Sequence, residues 1–262
     1  MLYLLLFIIA TLPVAGLLIF IYFQDKYQKE PIGTLCKAFF GGFLAIVIDL
    51  IIVLIFKYTL GLIPWFKDTV FYSSFVEAGI PEEFSKFLIF MLFIWRNKNF
   101  DEYFDGIVYA CFIGLGFAWI ENILYVFENG IGNGIVRAIL SVPGHFLFGV
   151  VLGYFLSLAK FEPEKKSKHI LTGLLLAMAI HGLFDWILMF CSNLISMESE
   201  WAIALSLGIY LVFLGGDVLL WIFGVKLIRK HQKNSFAQAQ TQTQAEAIAQ
   251  AQTDDTSNNP IN

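Results

Sequence analysis

Along this chain, long apolar runs alternate with short charged punctuation. Seven runs are long enough, at about 1.5 Å per residue, to cross a hydrocarbon core about 30 Å thick. They fall near residues 2–23, 34–56, 71–95, 103–127, 134–159, 168–192 and 201–228. Lipid admits only helices or closed barrels, and these runs are too long and too continuously apolar for barrel strands. The pattern predicts an all-α fold, a polytopic transmembrane bundle of about seven helices spanning 1–233. The first run has no basic segment before it and no small-residue cleavage site after it, so it reads as a retained helix and not a signal peptide. The stretch 57–70 reads as a loop with a short interfacial piece. From 234 to 262 the chain turns to Ala, Gln and Thr repeats, which predict a disordered cytoplasmic tail, with a short Ala-rich helix as the alternative.

Composition narrows the class further. Hydrophobic residues make up 58% and charged residues 15%, against about 45–50% and about 25% in soluble domains. Mean hydropathy is +0.72. The formal charge of −4 offers no basic footprint, so nucleic acid is not an expected partner. The three cysteines, Cys36, Cys111 and Cys191, have no metal-binding or disulfide spacing. Basic residues are distributed unevenly. Thirteen Lys and Arg lie at the loops after helices one, three and five and at the C-terminal edge, against three (Lys57, Lys67, Arg137) on the other side. Because cytoplasmic loops carry the excess, the N-terminus is expected outside and the C-terminus in the cytoplasm.

Ionisable residues inside the spans carry the functional signal, since each costs about 2.5–3.5 kcal/mol at a helix centre. The third span holds Glu82, Glu83 and Lys86 on consecutive turns behind Pro81, where a kink or helix start is expected. One lysine can neutralise only one of the two glutamates. The fourth span has Phe117, Glu121 and Asn122, the fifth a lone His145, and the sixth His181 and Asp185 at i,i+4. Read singly, Glu121 could cap a helix end and His145 could be a packing histidine. Counted from the outer ends, however, Glu82, Glu83, His145 and His181 all lie about 16–17 Å deep, with Glu121 and Asp185 at about 9–10 Å. The six are therefore expected to form one site in the middle to outer part of the membrane. Asp49 and Asp217, single acids in helices two and seven, read as helix–helix hydrogen bonds.

Carboxylates and imidazoles together are parts for activating water. Two histidines and a carboxylate also form the ligand set of a catalytic zinc. Spacing alone leaves metal and metal-free activation both open. Intramembrane Glu, His and Lys also build proton relays, so an ion-coupled transporter is the rival, and a helix-binding scaffold without catalysis is a third reading. No internal repeat supports the transporter.

The series Glu82-Glu83-x-x-Lys86, Phe117-x-x-x-Glu121, His145 and His181-x-x-x-Asp185 resembles the motifs of PrsW-type intramembrane proteases, distant relatives of the CAAX prenyl proteases. The resemblance covers about residues 30–192. It implies a metallo-type peptidase in the inner membrane of a bacterium that cuts a transmembrane protein, an anti-sigma factor in the characterised role, near the extracytoplasmic face. It carries catalytic roles to Glu82, Glu83, Glu121, His145 and His181. Lys86, Asn122 and Asp185 become supporting residues, and His145, His181 and Glu121 the ligands of a metal, with zinc the expected ion.

Overall fold

The computed structural model describes residues 1–258, and these are helical almost throughout, with no strand among them. In chain order, α1 is Leu2–Gln24 and α2 Ile32–Thr59; a short turn leads to α3, Pro64–Lys67. A π-helix, Tyr72–Gly79, runs directly into α4, Ile80–Phe93. Then come α5 (Asp105–Ile139), α6 (Ser141–Phe161), α7 (Lys166–Ile195) and α8 (Glu200–Asn258). Five stretches are long and apolar enough to cross a membrane, and one of them, Asp105–Phe161, contains both α5 and α6. The π-helix and α4 are not among the five because Glu77, Glu82, Glu83 and Lys86 interrupt their apolar face. The protein is a membrane-embedded helical bundle.

Two local features shape the bundle around its centre. Within α5, Gly130 adopts φ 79° and ψ −170°, a backbone that only glycine accepts without strain. The chain reverses there, and Arg137 folds back beside Glu121 and Asn122. The charge count along the sequence puts Arg137 at the outer side of the membrane. The structure buries it at 8% exposure instead, because a positive side chain this close to Glu121 is stabilised by pairing inside the bundle.

The second feature is close helix approach. A Cβ on Gly114 would lie 3.2 Å from the carbonyl oxygen of His145, and one on Gly153 would lie 2.7 Å from Cα of Ile107. These small residues let α5 and α6 pack backbone to backbone, the usual device where lipid supplies no hydrophobic force between helices. Most of α5 before Glu121 and most of α6 are consequently buried, while α1, α2 and α8 present Leu, Ile and Val outward.

Where disorder was expected, α8 continues as helix through the Ala- and Gln-rich segment to Asn258; residues 259–262 lie outside the described part. Alanine and glutamine have high helix propensity, and no Gly or Pro interrupts the run. Its first turns also have something to hold. Ser235 Oγ accepts a hydrogen bond from the backbone of Phe104 at 3.0 Å, and Gln238 donates to the carbonyl of Asp101 at 2.7 Å. Beneath them lie the acids Asp25, Glu30 and Glu102, all buried. Burial pushes Asp25 up to about 6, Glu102 to about 7 and Glu30 to about 8, with neighbouring acids adding to the last two. Near neutrality these groups hold protons part of the time, and their mutual repulsion is reduced accordingly.

Candidate active site

The centre of the bundle is polar, and it is built by α4, α5, α6 and α7. At its entry the π-helix ends at Gly79, and Pro81 follows in the first turn of α4, where its missing N–H is tolerated. Wide π turns recur at functional sites. Here the transition aims two consecutive glutamates inward: Glu82 is 8% and Glu83 1% exposed.

Lys86 gathers the cluster. Its ammonium donates to Glu83 Oε1 at 2.8 Å, to Glu82 Oε2 at 3.1 Å and to His145 Nδ1 at 3.1 Å. It also lies 4.2 Å from the centre of the Phe117 ring, which gives the phenylalanine of the Phe117-x-x-x-Glu121 motif a cation–π role. With Nδ1 accepting from lysine, the His145 ring carries its proton on Nε2 and donates it to Glu121 Oε2 at 2.8 Å. Glu121 is held in turn by Arg137, at 3.1 Å, and Arg137 Nε donates to Asn122 Oδ1 at 3.0 Å. Asn122 completes the chain by donating to the carbonyl of Ala10 on α1 at 2.8 Å.

A second arm runs through α7. His181 Nδ1 donates to Glu83 Oε1 at 2.9 Å, while its Nε2 faces Asp185 Oδ2 at 3.4 Å and Glu82 Oε2 at 3.9 Å. Phe148 stacks on the His181 ring with centroids 4.6 Å apart. The two imidazoles meet edge to face, their centroids 5.2 Å apart. All eight residues expected at the site on sequence grounds thus meet in one connected network.

One atom each from Glu82, Glu83, His145 and His181 lies within 4.8 Å of the others, and all four residues are buried. This nitrogen and oxygen donor set suits zinc or a similar divalent ion. Glu121 stands outside that group, on the far nitrogen of His145, where it orients the ring. Charge balance points the same way. Among the described residues, Glu82, Glu83, Glu121 and Asp185 face two fixed cations, Lys86 and Arg137. Asp49 of α2 adds a fifth carboxyl within electrostatic range of Lys86 and His181, and its buried Oδ1 has no hydrogen-bond partner. Asp49 therefore does not make the helix–helix hydrogen bond expected of it. An excess of carboxylates around the cluster and an orphaned oxygen within electrostatic range of it both fit a divalent cation.

Sequence reasoning missed Arg137, Phe148 and the electrostatic part of Asp49. Arg137 carried a signal, since it is a lone cation within the apolar run GIVRAIL.

This constellation can be set beside known proteins. The model of the PrsW family intramembrane metalloprotease matches residues 30–215. The chain is 34% identical over 237 residues to Protease PrsW of Clostridioides difficile strain 630, covering 88% of this chain and 92% of that one. It is 33% identical over 231 residues to Protease PrsW of Bacillus subtilis strain 168, covering 86% and 95%. Protease PrsW of Oceanobacillus iheyensis gives 33% over 223 residues, covering 85% and 94%. No solved structure matches significantly. The agreement extends across the helices that build the polar centre, and the chain belongs to the PrsW family of intramembrane metalloproteases.

Proposed function

We propose that the polar centre hydrolyses a peptide bond of a single-span regulatory protein of the anti-sigma type, near the extracytoplasmic face of a bacterial inner membrane. The observation that carries this reading is the convergence of Glu82, Glu83, His145 and His181 within 4.8 Å in a buried pocket. A bound divalent metal, held by His145, His181 and Glu82, would polarise the scissile carbonyl and lower the pKa of a water.

The remaining work falls to the chain itself. Glu83 takes the proton from the attacking water, and the same carboxyl returns it to the leaving amine. Lys86 pairs with both glutamates and supplies positive potential where the tetrahedral oxyanion forms. Glu121, itself braced by Arg137 and Asn122, fixes the tautomer and direction of His145. Asp185 faces Nε2 of His181 across a longer gap and limits the rotation of its ring. The apolar surround of Phe117 and Phe148 limits bulk water at the site.

The test is cleavage of a tagged single-span anti-sigma-type reporter by full-length protein in liposomes. Glu83→Gln keeps the shape and removes the base, so cleavage should fall by about 10²–10⁴-fold. Wild-type cleavage by Glu83→Gln would refute the assignment.

A further inference from the structure

Between α7 and α8 a groove of about 460 Å³ opens on the outer surface of the bundle, bordered by Ile180, Phe184, Val212, Gly216 and Leu219. Its one ionisable lining residue is Asp217. Its depth follows from the pairing of the two helices. Ser206 Oγ donates to the carbonyl of Cys191 at 3.3 Å, and the helices run antiparallel. Asp217 is eleven residues beyond Ser206 and Ile180 eleven before Cys191, so Asp217 lies level with Ile180, next to His181. Only two rings separate the groove from that histidine: Phe184 packs on Phe148 at 5.8 Å, and Phe148 stacks on His181 at 4.6 Å.

Two features of the groove are unfinished. Asp217 makes no hydrogen bond or ion pair among the described residues, although a carboxyl at this depth costs about 2.5–3.5 kcal/mol unless paired. On α8, added Cβ atoms at Gly208, Gly215 and Gly216 would meet nothing within 4 Å, while Val212 and Leu219 are 77% and 66% exposed. A lipid chain could fill the apolar part but offers Asp217 no donor. Another helix offers both a packing face and a donor, and small residues permit close approach.

From these observations we infer that the α7–α8 groove is the docking site for the substrate's transmembrane helix, recognised through a Lys, Asn, Ser or similar donor that reaches Asp217. This rests on the protease reading above and adds to it the surface that selects the substrate. Docking there would hold the helix level with the catalytic cluster, two aromatic rings away, before any residue of it enters the site.

The experiment measures binding apart from cleavage. A photocrosslinking amino acid is placed at Val212 in full-length protein carrying Glu83→Gln and reconstituted in liposomes. The probes are two synthetic single-span Leu/Ala helices, identical except that one has a central lysine. The lysine helix should crosslink about three- to tenfold more efficiently than the all-apolar one, the range expected of one polar contact between helices. Asp217→Leu should abolish that preference, and Asp217→Asn, which keeps an acceptor and the size, should retain part of it. Equal crosslinking of both helices, or a preference untouched by Asp217→Leu, would overturn the assignment and leave the groove to lipid. If Asp217→Leu does not fold, loss of preference in Asp217→Ser decides in its place, and an unchanged preference there overturns the assignment. Because the protein used is already inactive, a failure of the hydrolase reading appears only in the separate cleavage assay.

Discussion

An ammonium that meets two carboxylates and an imidazole at 2.8–3.1 Å, with its side chain only 5% exposed, is held by the cluster as much as it holds it. Removing such a partner leaves the opposite charges buried and uncompensated, which costs about 3–5 kcal/mol. Lys86→Met should therefore lower thermal stability in detergent sharply as well as abolish cleavage. Adding Glu82→Gln to it should recover part of the stability, because one stranded carboxylate is then gone. Differential scanning of the three proteins checks this, and a Lys86→Met protein as stable as wild type would exclude the pairing. Residues of this kind are readable without a structure. Glu82, Glu83, His145, His181 and Asp185 stand out because charge at membrane depth is expensive and therefore informative. Arg137 was not readable in the same way. It stands three residues inside the predicted span 134–159, where a charge at the membrane edge is ordinary, and its pairing with Glu121 shows only in the fold around the reversal at Gly130.

At the scale of elements, the site depends on how closely the π-helix and α7 approach. A Cβ on Gly79 would lie 2.7 Å from the backbone nitrogen of Gly182 and 3.1 Å from the carbonyl oxygen of Met178. Backbone atoms cannot rotate away, so Gly79→Ala must push the two elements apart. Overpacking of this kind costs about 1–3 kcal/mol. The displacement acts one residue from His181 and three from Glu82, so cleavage should fall by more than the stability loss explains. Gly208→Ala, whose new methyl would meet nothing within 4 Å, is the control and should stay within about 0.5 kcal/mol of wild type. Equal behaviour of the two variants would show that close approach at Gly79 is unimportant. Helix existence was legible from the apolar runs, but the π-helix was not, since no hydrophobic period distinguishes it over eight residues. The helical course of α8 beyond Lys233 was only the second reading of the sequence, for another reason. Low apolar content argued for disorder, whereas alanine and glutamine propensity and the contacts of Ser235 and Gln238 support a helix.

For the molecule as a whole, the polar centre lies toward the end of the bundle that carries the Gly130 reversal and the α7–α8 connection. Which side of the membrane that end faces follows from the basic residues. With Arg137 buried in the site, the excess at the opposite end is larger than the loop count suggested. The Gly130 end is therefore expected outside and the C-terminus in the cytoplasm. A periplasm-active reporter fused after Lys233 should be silent; strong activity would invert the orientation and move the cut to the cytoplasmic side.

The claim on which all of this depends is that Glu82, Glu83, His145 and His181 form a metal centre for hydrolysis. Metal analysis of purified full-length protein tests it, with wild type measured beside a His145→Ala, His181→Ala double variant. About one divalent transition-metal ion per chain is expected in wild type and none in the double variant, with cleavage lost on chelation and restored by the ion. Wild-type protein that is free of metal and still cleaves at full rate in a chelator would contradict it, and would assign water activation to the glutamates and Lys86 alone.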